Sequence, residues 1–121
     1  MVDDSAVIRD LITLNLELEG FEVTAVGDGA SALEVVGEVA PDVITLDVVM
    51  PRLGGFETVE RLRADPATAS IPVVIVTGRA QAADLARGQE LGVDAYVTKP
   101  FEPAELVAVV TRLAGSGPDR R

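Results

Sequence analysis

The chain contains no cysteine and no tryptophan, and aromatic residues make up only 3% of its 121 residues. The absence of cysteine excludes disulfides and thiolate chemistry, and it leaves the compartment open. No apolar run approaches the roughly 20 residues that a helix needs to cross a bilayer, and no signal-like apolar segment opens the chain. A cytoplasmic protein without a membrane segment is therefore expected, with a core of Val, Leu, Ile and Ala.

Basic residues are scarce: the chain has 10 Lys and Arg against 20 Asp and Glu, which gives a net charge of −10. Nucleic acid or an anionic membrane would repel such a surface, so direct binding to either is not expected. Metal cations and basic protein surfaces are more natural partners. The length fits one domain, which we assign to residues 1–115, and residues 116–121 read as a polar tail or the start of a linker.

Short runs rich in Val and Ile alternate with longer segments of helical periodicity. The predicted helices are 5–18, 30–39, 56–64, 82–92 and 103–115, and the predicted strands are 21–26, 42–49, 71–78 and 94–97. This alternation with short connections predicts a parallel sheet that has helices on both faces. Such a domain should begin with a strand, but only Met1 and Val2 precede the acidic pair.

Polar residues fall where the predicted strands end. Asp3 and Asp4 would follow the first strand, Asp47 interrupts the third, Thr77 ends the fourth and Lys99 ends the fifth. Ligand sites of open parallel sheets lie beyond the carboxyl ends of the strands. Three neighbouring carboxylates need a cation such as Mg²⁺, which prefers oxygen ligands. An aspartate beside this ion can attack phosphorus while a lysine and a hydroxyl stabilise the phosphoryl oxygens, so the residues predict phosphoryl transfer to an aspartate.

Four motifs carry a resemblance to a known family, and they occur in order along essentially the whole chain. They are VDDS, DVITLDVVMPRLGG, IPVVIVTG and GVDAYVTKPF. Together they resemble the receiver domain of two-component response regulators, of the chemotaxis-regulator-like kind. The resemblance implies an α/β, flavodoxin-like, doubly wound parallel sheet of order 2-1-3-4-5, here with its first strand truncated.

The resemblance also implies the roles of the acidic residues. Asp47 would accept a phosphoryl group from a sensor histidine kinase or a phosphotransfer protein. Asp3, Asp4, Asp47 and the backbone carbonyl of Val49 would bind Mg²⁺. Thr77 and Lys99 would be the further catalytic residues. The chain would then catalyse only its own phosphorylation and dephosphorylation, so it would not be an enzyme with a separate substrate.

A switch is implied by three further matches to the family pattern. Thr77 and Tyr96 match the hydroxyl and the aromatic residue that respond to phosphorylation, and the Lys99–Pro100 bond matches a cis peptide. Phosphorylation would remodel the face formed by residues 82–114. A downstream effector protein or domain, or a second copy in a homodimer, would read that face.

Other readings of the same residues remain open. Taken alone, Asp3 and Asp4 would most simply cap the first helix. A phosphatase of the haloacid-dehalogenase type shares the aspartate nucleophile, but it needs an acid where Val49 stands, and the chain has no room for a substrate cap. A pseudo-receiver would keep the fold as a protein-interaction module without cycling phosphate.

The shortened start predicts a local structural defect. A first strand that is absent or very short should weaken the core, expose the neighbouring strand and leave Asp3 and Asp4 mobile. Either the start is misplaced or trimmed, or a partner segment fills the gap.

Overall fold

The part of the chain that the structure describes contains five helices and three regular strands. This structure is a computed structural model, and it describes residues 1–2, 5–47, 54–78, 82–99 and 101–114. The elements are α1 (Ala6–Leu18), α2 (Gly29–Val39), β1 (Ile44–Leu46), α3 (Gly55–Ala64), β2 (Val73–Thr77), α4 (Ala82–Leu91), β3 (Ala95–Thr98) and α5 (Pro103–Ala114). None of these helices is long and apolar enough to cross a membrane.

The sheet is parallel, and its regular strands lie side by side in the order β1-β2-β3. Val2 extends the sheet because it forms parallel bridges to both Val26 and Leu46. The full spatial order is therefore segment 21–26, Met1–Val2, β1, β2 and β3. This arrangement confirms the predicted order 2-1-3-4-5.

Within the described residues, the first strand is as short as the sequence predicts, since of residues 1–2 only Val2 bridges to its neighbours. The Val2 N–H donates to the Thr45 carbonyl at 2.7 Å, and the Asp47 N–H donates to the Val2 carbonyl at 3.0 Å. The prediction of a regular strand over 21–26 is wrong. Of those six residues only Val26 forms a bridge, because the strand beside them offers only two residues with which to pair.

Local capping residues set the helix boundaries. The Ser5 side chain accepts a hydrogen bond from the Ile8 N–H at 3.3 Å, and Asp28 accepts one from the Ser31 N–H at 2.8 Å. Both satisfy N–H groups that the first turn of a helix leaves without partners. After α1 the chain turns at Gly20, whose φ of +95° lies in the region that favours glycine. The five predicted helices are confirmed to within two residues at each end.

Two apolar layers cover the two faces of the sheet, which explains the near-continuous apolar runs of β1 and β2. In one layer, side chains of the sheet pack against Val59 and Leu62 of α3; the sheet residues are Val2, Ile44, Leu46, Val73 and Ile75. In the other layer, Val74, Val76 and Val97 of the sheet pack against two helices. The helix residues are Ile12 and Leu16 of α1 and Leu106 and Val110 of α5. Because the strands are parallel, their carboxyl ends lie at one edge of the sheet.

Ala40 ends α2 in a strained conformation, with φ 46° and ψ 59°. A Cβ in this left-handed region costs about 1–2 kcal/mol, and glycine avoids the cost. We expect Ala40→Gly to raise the free energy of unfolding in urea by about 0.5–1 kcal/mol. Ala108→Gly, on the exposed side of α5, is the matched control and should lower it by about 1 kcal/mol. Equal losses in both variants would contradict the argument.

Candidate functional site

A lysine–aspartate ion pair lies at the carboxyl edge of the sheet. Lys99 Nζ is 3.0 Å from Asp47 Oδ2. Asp47 directly follows β1 and is buried, with 7% of its surface exposed, whereas Lys99 follows β3 and keeps partial contact with water. The structure thus brings together two of the residues that the sequence assigns to phosphoryl transfer.

The order of the strands explains why the cationic partner of Asp47 must have a long side chain. β1 and β3 lie on opposite sides of β2, so their backbones are about 10 Å apart. The backbone of Lys99 is held against the end of β2, because its N–H donates to the Thr77 carbonyl at 2.8 Å. Its four-carbon side chain then crosses the end of β2 and reaches the carboxylate.

Thr77 and Tyr96 share one face of the sheet. Ile75 pairs with Tyr96, and Thr77 follows Ile75 by two residues, so the two side chains are diagonal neighbours. Thr77 is buried at 2% exposure, and Tyr96 is half-buried against the layer that contains α3. The predicted switch residues are therefore adjacent in the fold. Thr77 is the last residue of β2, the strand whose end the Lys99 side chain crosses.

Gly88 lets α4 pack closely against Val93, a role that the sequence did not predict. A Cβ at Gly88 would lie 3.1 Å from Val93 Cγ2 and 3.5 Å from Tyr96 Cδ2. Glycine inside a helix costs about 1 kcal/mol relative to alanine, and here the cost accompanies close packing on the Val93 side chain, while a Cβ would make only ordinary van der Waals contact with the Tyr96 ring. The only signal in the sequence was a glycine within an otherwise helical pattern.

The remaining predicted site residues, Asp3, Asp4, Val49 and Pro100, lie outside the described residues. Within the described ranges, no group of three or more acidic side chains could hold a metal ion. Asp47 has the chemistry for Mg²⁺, because its carboxylate supplies the hard oxygen ligands that this ion prefers. Its backbone N–H donates to the carbonyl of Val2, the residue that directly precedes Asp3.

A second polar cluster lies at the opposite, amino-terminal end of β2. The carboxylate Oδ2 of Asp94 accepts a hydrogen bond from the Val73 N–H at 2.8 Å and is 3.4 Å from Arg63. The Arg63 guanidinium also donates to the carbonyls of Ala69, Ile71 and Gly92 at 3.0, 2.7 and 2.8 Å. This cluster joins α3 to two loops. The sequence did not predict it, because an arginine on a helix is usually solvated.

The sequence matches the family model described as the response regulator receiver domain over residues 1–111. Among curated relatives, the DNA-binding response regulator MtrA of Mycobacterium tuberculosis is 40% identical over 110 residues, which cover 91% of this chain and 47% of that protein. The chain spans about half the length of the curated relatives it matches, such as MtrA at 47%.

Solved structures give the same result for the fold. The receiver domain of a signal transduction histidine kinase from Syntrophus aciditrophicus has a TM-score of 0.90 and 29% identity, covering 99% of this chain and 91% of that one. The receiver domain of the sensor histidine kinase PA1611 from Pseudomonas aeruginosa, which has a magnesium ion in its active-site cleft, has a TM-score of 0.86 and 30% identity, covering 95% and 94%. The chain therefore belongs to the family of response regulator receiver domains.

Proposed function

We propose that Asp47 is the phosphoryl acceptor of this receiver domain in a two-component system. The observation that carries the proposal is the 3.0 Å pair of Asp47 with Lys99 at the carboxyl edge of the sheet. Ligand sites of open parallel sheets lie at this edge. The donor is a sensor histidine kinase or a phosphotransfer protein, and the chain catalyses only its own phosphorylation and dephosphorylation.

The transfer is a substitution at phosphorus. An Asp47 carboxylate oxygen forms a bond to phosphorus while the bond to the donor's imidazole nitrogen breaks, and that electron pair stays on the nitrogen. The Lys99 ammonium offsets the negative charge of the phosphoryl oxygens, and the Thr77 hydroxyl donates a hydrogen bond to one of them. All three side chains come from strand ends at one edge of the sheet.

Charge balance supports a divalent ion at this site. Asp3, Asp4 and Asp47 carry three negative charges and Lys99 carries one positive charge, so the proposed set has a net charge of −2. Asp3, Asp4, Asp47 and the Val49 carbonyl would hold Mg²⁺, which supplies charge neutralisation for the phosphoryl oxygens. PA1611, the relative with a magnesium ion in its cleft, supports this choice of ion.

A small phosphoryl donor tests the proposal directly. We expect acetyl phosphate with Mg²⁺ to add one phosphoryl group to the chain, and peptide mapping by mass spectrometry should place an acyl phosphate on Asp47. Omission of Mg²⁺ should suppress the reaction. Unmodified protein at every Mg²⁺ concentration would favour the alternative of a pseudo-receiver, in which the fold serves only as a protein-interaction module.

Lys99 should control the rate of this reaction. Loss of one positioned donor at a site where charge develops lowers a rate by about 100-fold or more, so we expect Lys99→Met to slow phosphorylation by about 100-fold. Lys99→Arg should recover part of the rate because the charge returns. Arg112→Met, at an exposed position on α5, is the control and should leave the rate unchanged. A normal phosphorylation rate in Lys99→Met would show that the ion pair of Lys99 with Asp47 does not contribute to the reaction.

Phosphorylation of Asp47 is proposed to act on a partner-binding face formed by α4, β3 and α5, residues 82–114. Thr77 moves toward the phosphoryl group, Tyr96 follows it, and the face is remodelled for a downstream effector or a second copy. The adjacency of Thr77 and Tyr96 on one face of the sheet supports this route. We propose residues 1–115 as the functional domain, residues 116–121 as its tail or linker, and the cytoplasm as its location.

Tyr96 reports on the switch without any added label, because it is the sole tyrosine and the chain has no tryptophan. We expect acetyl phosphate with Mg²⁺ to change the tyrosine emission. Thr77→Ala should abolish the change while leaving phosphorylation measurable by mass. Thr98→Ala, at the exposed position that pairs with Thr77, is the matched control and should keep the change. An unchanged emission in phosphorylated protein would contradict the coupling.

A further inference from the structure

The outer side of α1 carries a continuous row of apolar side chains. Between 41% and 76% of the surface of each member is exposed; the members are Val7, Leu11, Leu14 and Leu18. Residues that are three or four places apart are neighbours on a helix, so the four side chains form one strip, which we call the α1 ridge. It faces away from the sheet, because the opposite side of α1 packs against the sheet through Ile12 and Leu16.

The α1 ridge has the spacing of a coiled-coil seam. Its members alternate at intervals of four, three and four residues, which keeps one apolar row facing a neighbouring helix. A helix that packs only within its own domain needs one apolar side, and α1 already buries that side. Single exposed leucines are ordinary on a protein surface, whereas a contiguous apolar strip marks a contact with another molecule. The α1 ridge therefore calls for a further helix.

An apolar groove of about 610 Å³ runs beside the α1 ridge, between α1 and α5. Ala104, Val107 and Ala108 form its α5 side, where the two short alanine side chains leave room for the larger side chains of a ridge. We call it the α5 groove. Leu18 lines the groove and belongs to the ridge, so the two features are adjacent. They run in the same direction, because α1 and α5 each follow the carboxyl end of a parallel strand.

A ridge and a groove side by side on one molecule make this surface complementary to itself. A two-fold axis parallel to α1 and α5 turns the surface of one copy onto that of the other and places each α1 ridge in the partner's α5 groove. The contacting helices then run parallel and pack with ridges in grooves, as in coiled coils. A single helix of another protein would cover the ridge and leave the groove open, whereas a second copy covers both.

The available area suits a specific but weak dimer. By order of magnitude, the four ridge side chains expose about 300 Å² of apolar surface. Because each ridge covers a similar area of the partner's groove, two ridges and two grooves bury about 1,200 Å² in total. Specific interfaces begin near this value, and stable ones bury about 1,600 Å². We therefore expect monomer and dimer to exchange, with the dimer favoured at high protein concentration.

Charged residues on the two flanks match in the same arrangement. Glu17 lies on the side of the α1 ridge that is remote from α5, and Arg112 lies at the outer edge of the α5 groove. Both residues belong to the last turn of their helices, at the same end of the domain. The two-fold rotation exchanges the flanks, so Glu17 of one copy lies opposite Arg112 of the other. Among the described residues, neither takes part in an ion pair within the chain.

We propose that two copies of this chain form a two-fold dimer through the α1 ridge and the α5 groove. The interface includes α1 and excludes α4, so it differs from the proposed switch face. It contains neither Asp47 nor Lys99, and the proposal does not rest on phosphorylation. The net charge of −10 on each copy opposes the encounter, so the apolar contact supplies the attraction.

Sedimentation equilibrium of the 121-residue chain tests the proposal. We expect the weight-average mass to rise with concentration from 12.6 kDa toward twice that value. Leu14→Glu should hold the mass at that of the monomer, because it places a charge in the partner's groove. Leu85→Glu, at an exposed leucine on α4, is the matched control and should still dimerise. A monomeric parent, or a dimer that Leu14→Glu leaves intact, would overturn the proposal.

Exchange of charges tests the pairing of Glu17 with the partner's Arg112. Arg112→Glu combined with Glu17→Arg restores an opposite-charge pair on each flank, whereas Arg112→Glu combined with Glu34→Arg does not. Glu34 is exposed on α2, on the other face of the sheet, and the two double variants have the same net charge. We expect the first to dimerise about tenfold more tightly, because two-fold symmetry counts each pair twice. Equal dimerisation constants would overturn this arrangement of the two copies.

Salt gives an independent check on what holds the two copies together. Screening reduces the repulsion between two chains of net charge −10, while burial of the apolar ridge continues to favour association. Dimerisation should therefore strengthen several-fold when NaCl is added. Weaker dimerisation at higher salt would mean that charges rather than the α1 ridge hold the copies, and it would overturn the proposal. None of these measurements uses a phosphoryl donor, so their failure leaves the phosphorylation proposal standing.

Discussion

Asp47→Asn is expected to abolish phosphorylation of the chain by acetyl phosphate in the presence of Mg²⁺. The side chain keeps its size, but an amide oxygen lacks the negative charge that makes a carboxylate oxygen a nucleophile. The replacement also removes one of the three negative charges of the proposed metal site, which weakens the attraction for a divalent ion. Both losses act on the same step, so this is the largest effect that a single replacement should produce.

Asp42→Asn is the matched control for this prediction. Asp42 and Asp47 flank β1 at its two ends, and only Asp47 lies at the carboxyl edge, where Lys99 contacts it. The Asp42 variant should be phosphorylated within about twofold of the parent rate, because its charge lies a strand length from the reaction. Phosphorylation that persists in Asp47→Asn, or that disappears in Asp42→Asn, would place the acceptor elsewhere.

The asparagine variant should remain folded, so lost phosphorylation can be assigned to chemistry. A buried charge left without its partner is strongly destabilising, but 21% of the Lys99 side chain is exposed and water can solvate its ammonium. The variant keeps a hydrogen-bond acceptor near Lys99 because the amide retains one carbonyl oxygen. Circular dichroism and urea unfolding check this directly.

The edge of the sheet that carries Asp47 was predictable because its signals are local in the sequence. Asp47 interrupts an apolar run, and Lys99 ends another, so strand ends and chemistry coincide in the sequence. Parallel alternation then brings these ends together without any knowledge of side-chain packing. The contact between Asp47 and Lys99 follows from topology, and the structure places the two groups 3.0 Å apart.

Segment 21–26 shows what a local reading misses. Its alternating composition favours a strand, yet a strand also needs partners, and residues 21–25 have none of the regular pairing that β1–β3 have. The cause lies at Met1 and Val2, which are distant in sequence and too few to form a ladder. β-propensity therefore failed here for a tertiary reason, the number of neighbouring residues available to pair.

The Arg63 cluster was invisible for a different reason. Its partners are three backbone carbonyls, which carry no signature in the amino-acid sequence, and one aspartate 31 residues away. Arg61 and Arg63 look equivalent in the pattern of α3, because both are basic residues in its last turn. Only the path of the loops around 69–71 and 92–94 makes one of them structural.

Arg63→Met is expected to lower the free energy of unfolding by about 2–4 kcal/mol. The guanidinium donates to carbonyls on two loops and is 3.4 Å from Asp94, which itself holds the first N–H of β2. Hydrogen bonds from a charged donor contribute about 1.5–3 kcal/mol each, and partial exposure lets water replace some of that. Methionine retains much of the apolar stem, so the change isolates the loss of the polar head.

Arg61→Met supplies the control, since Arg61 lies on the same turn of α3 and is exposed. It should change the unfolding free energy by less than about 0.5 kcal/mol. Arg63→Lys should also lower the unfolding free energy, because a single ammonium cannot reach all the carbonyls that a planar, forked guanidinium contacts at the same time. Urea unfolding of the three variants gives the comparison, and hydrogen exchange should show the Val73 amide opening more readily when Arg63 is replaced. Equal stabilities for Arg61→Met and Arg63→Met would mean that the two loops are held by their own packing, and that the guanidinium merely occupies a site they have already formed.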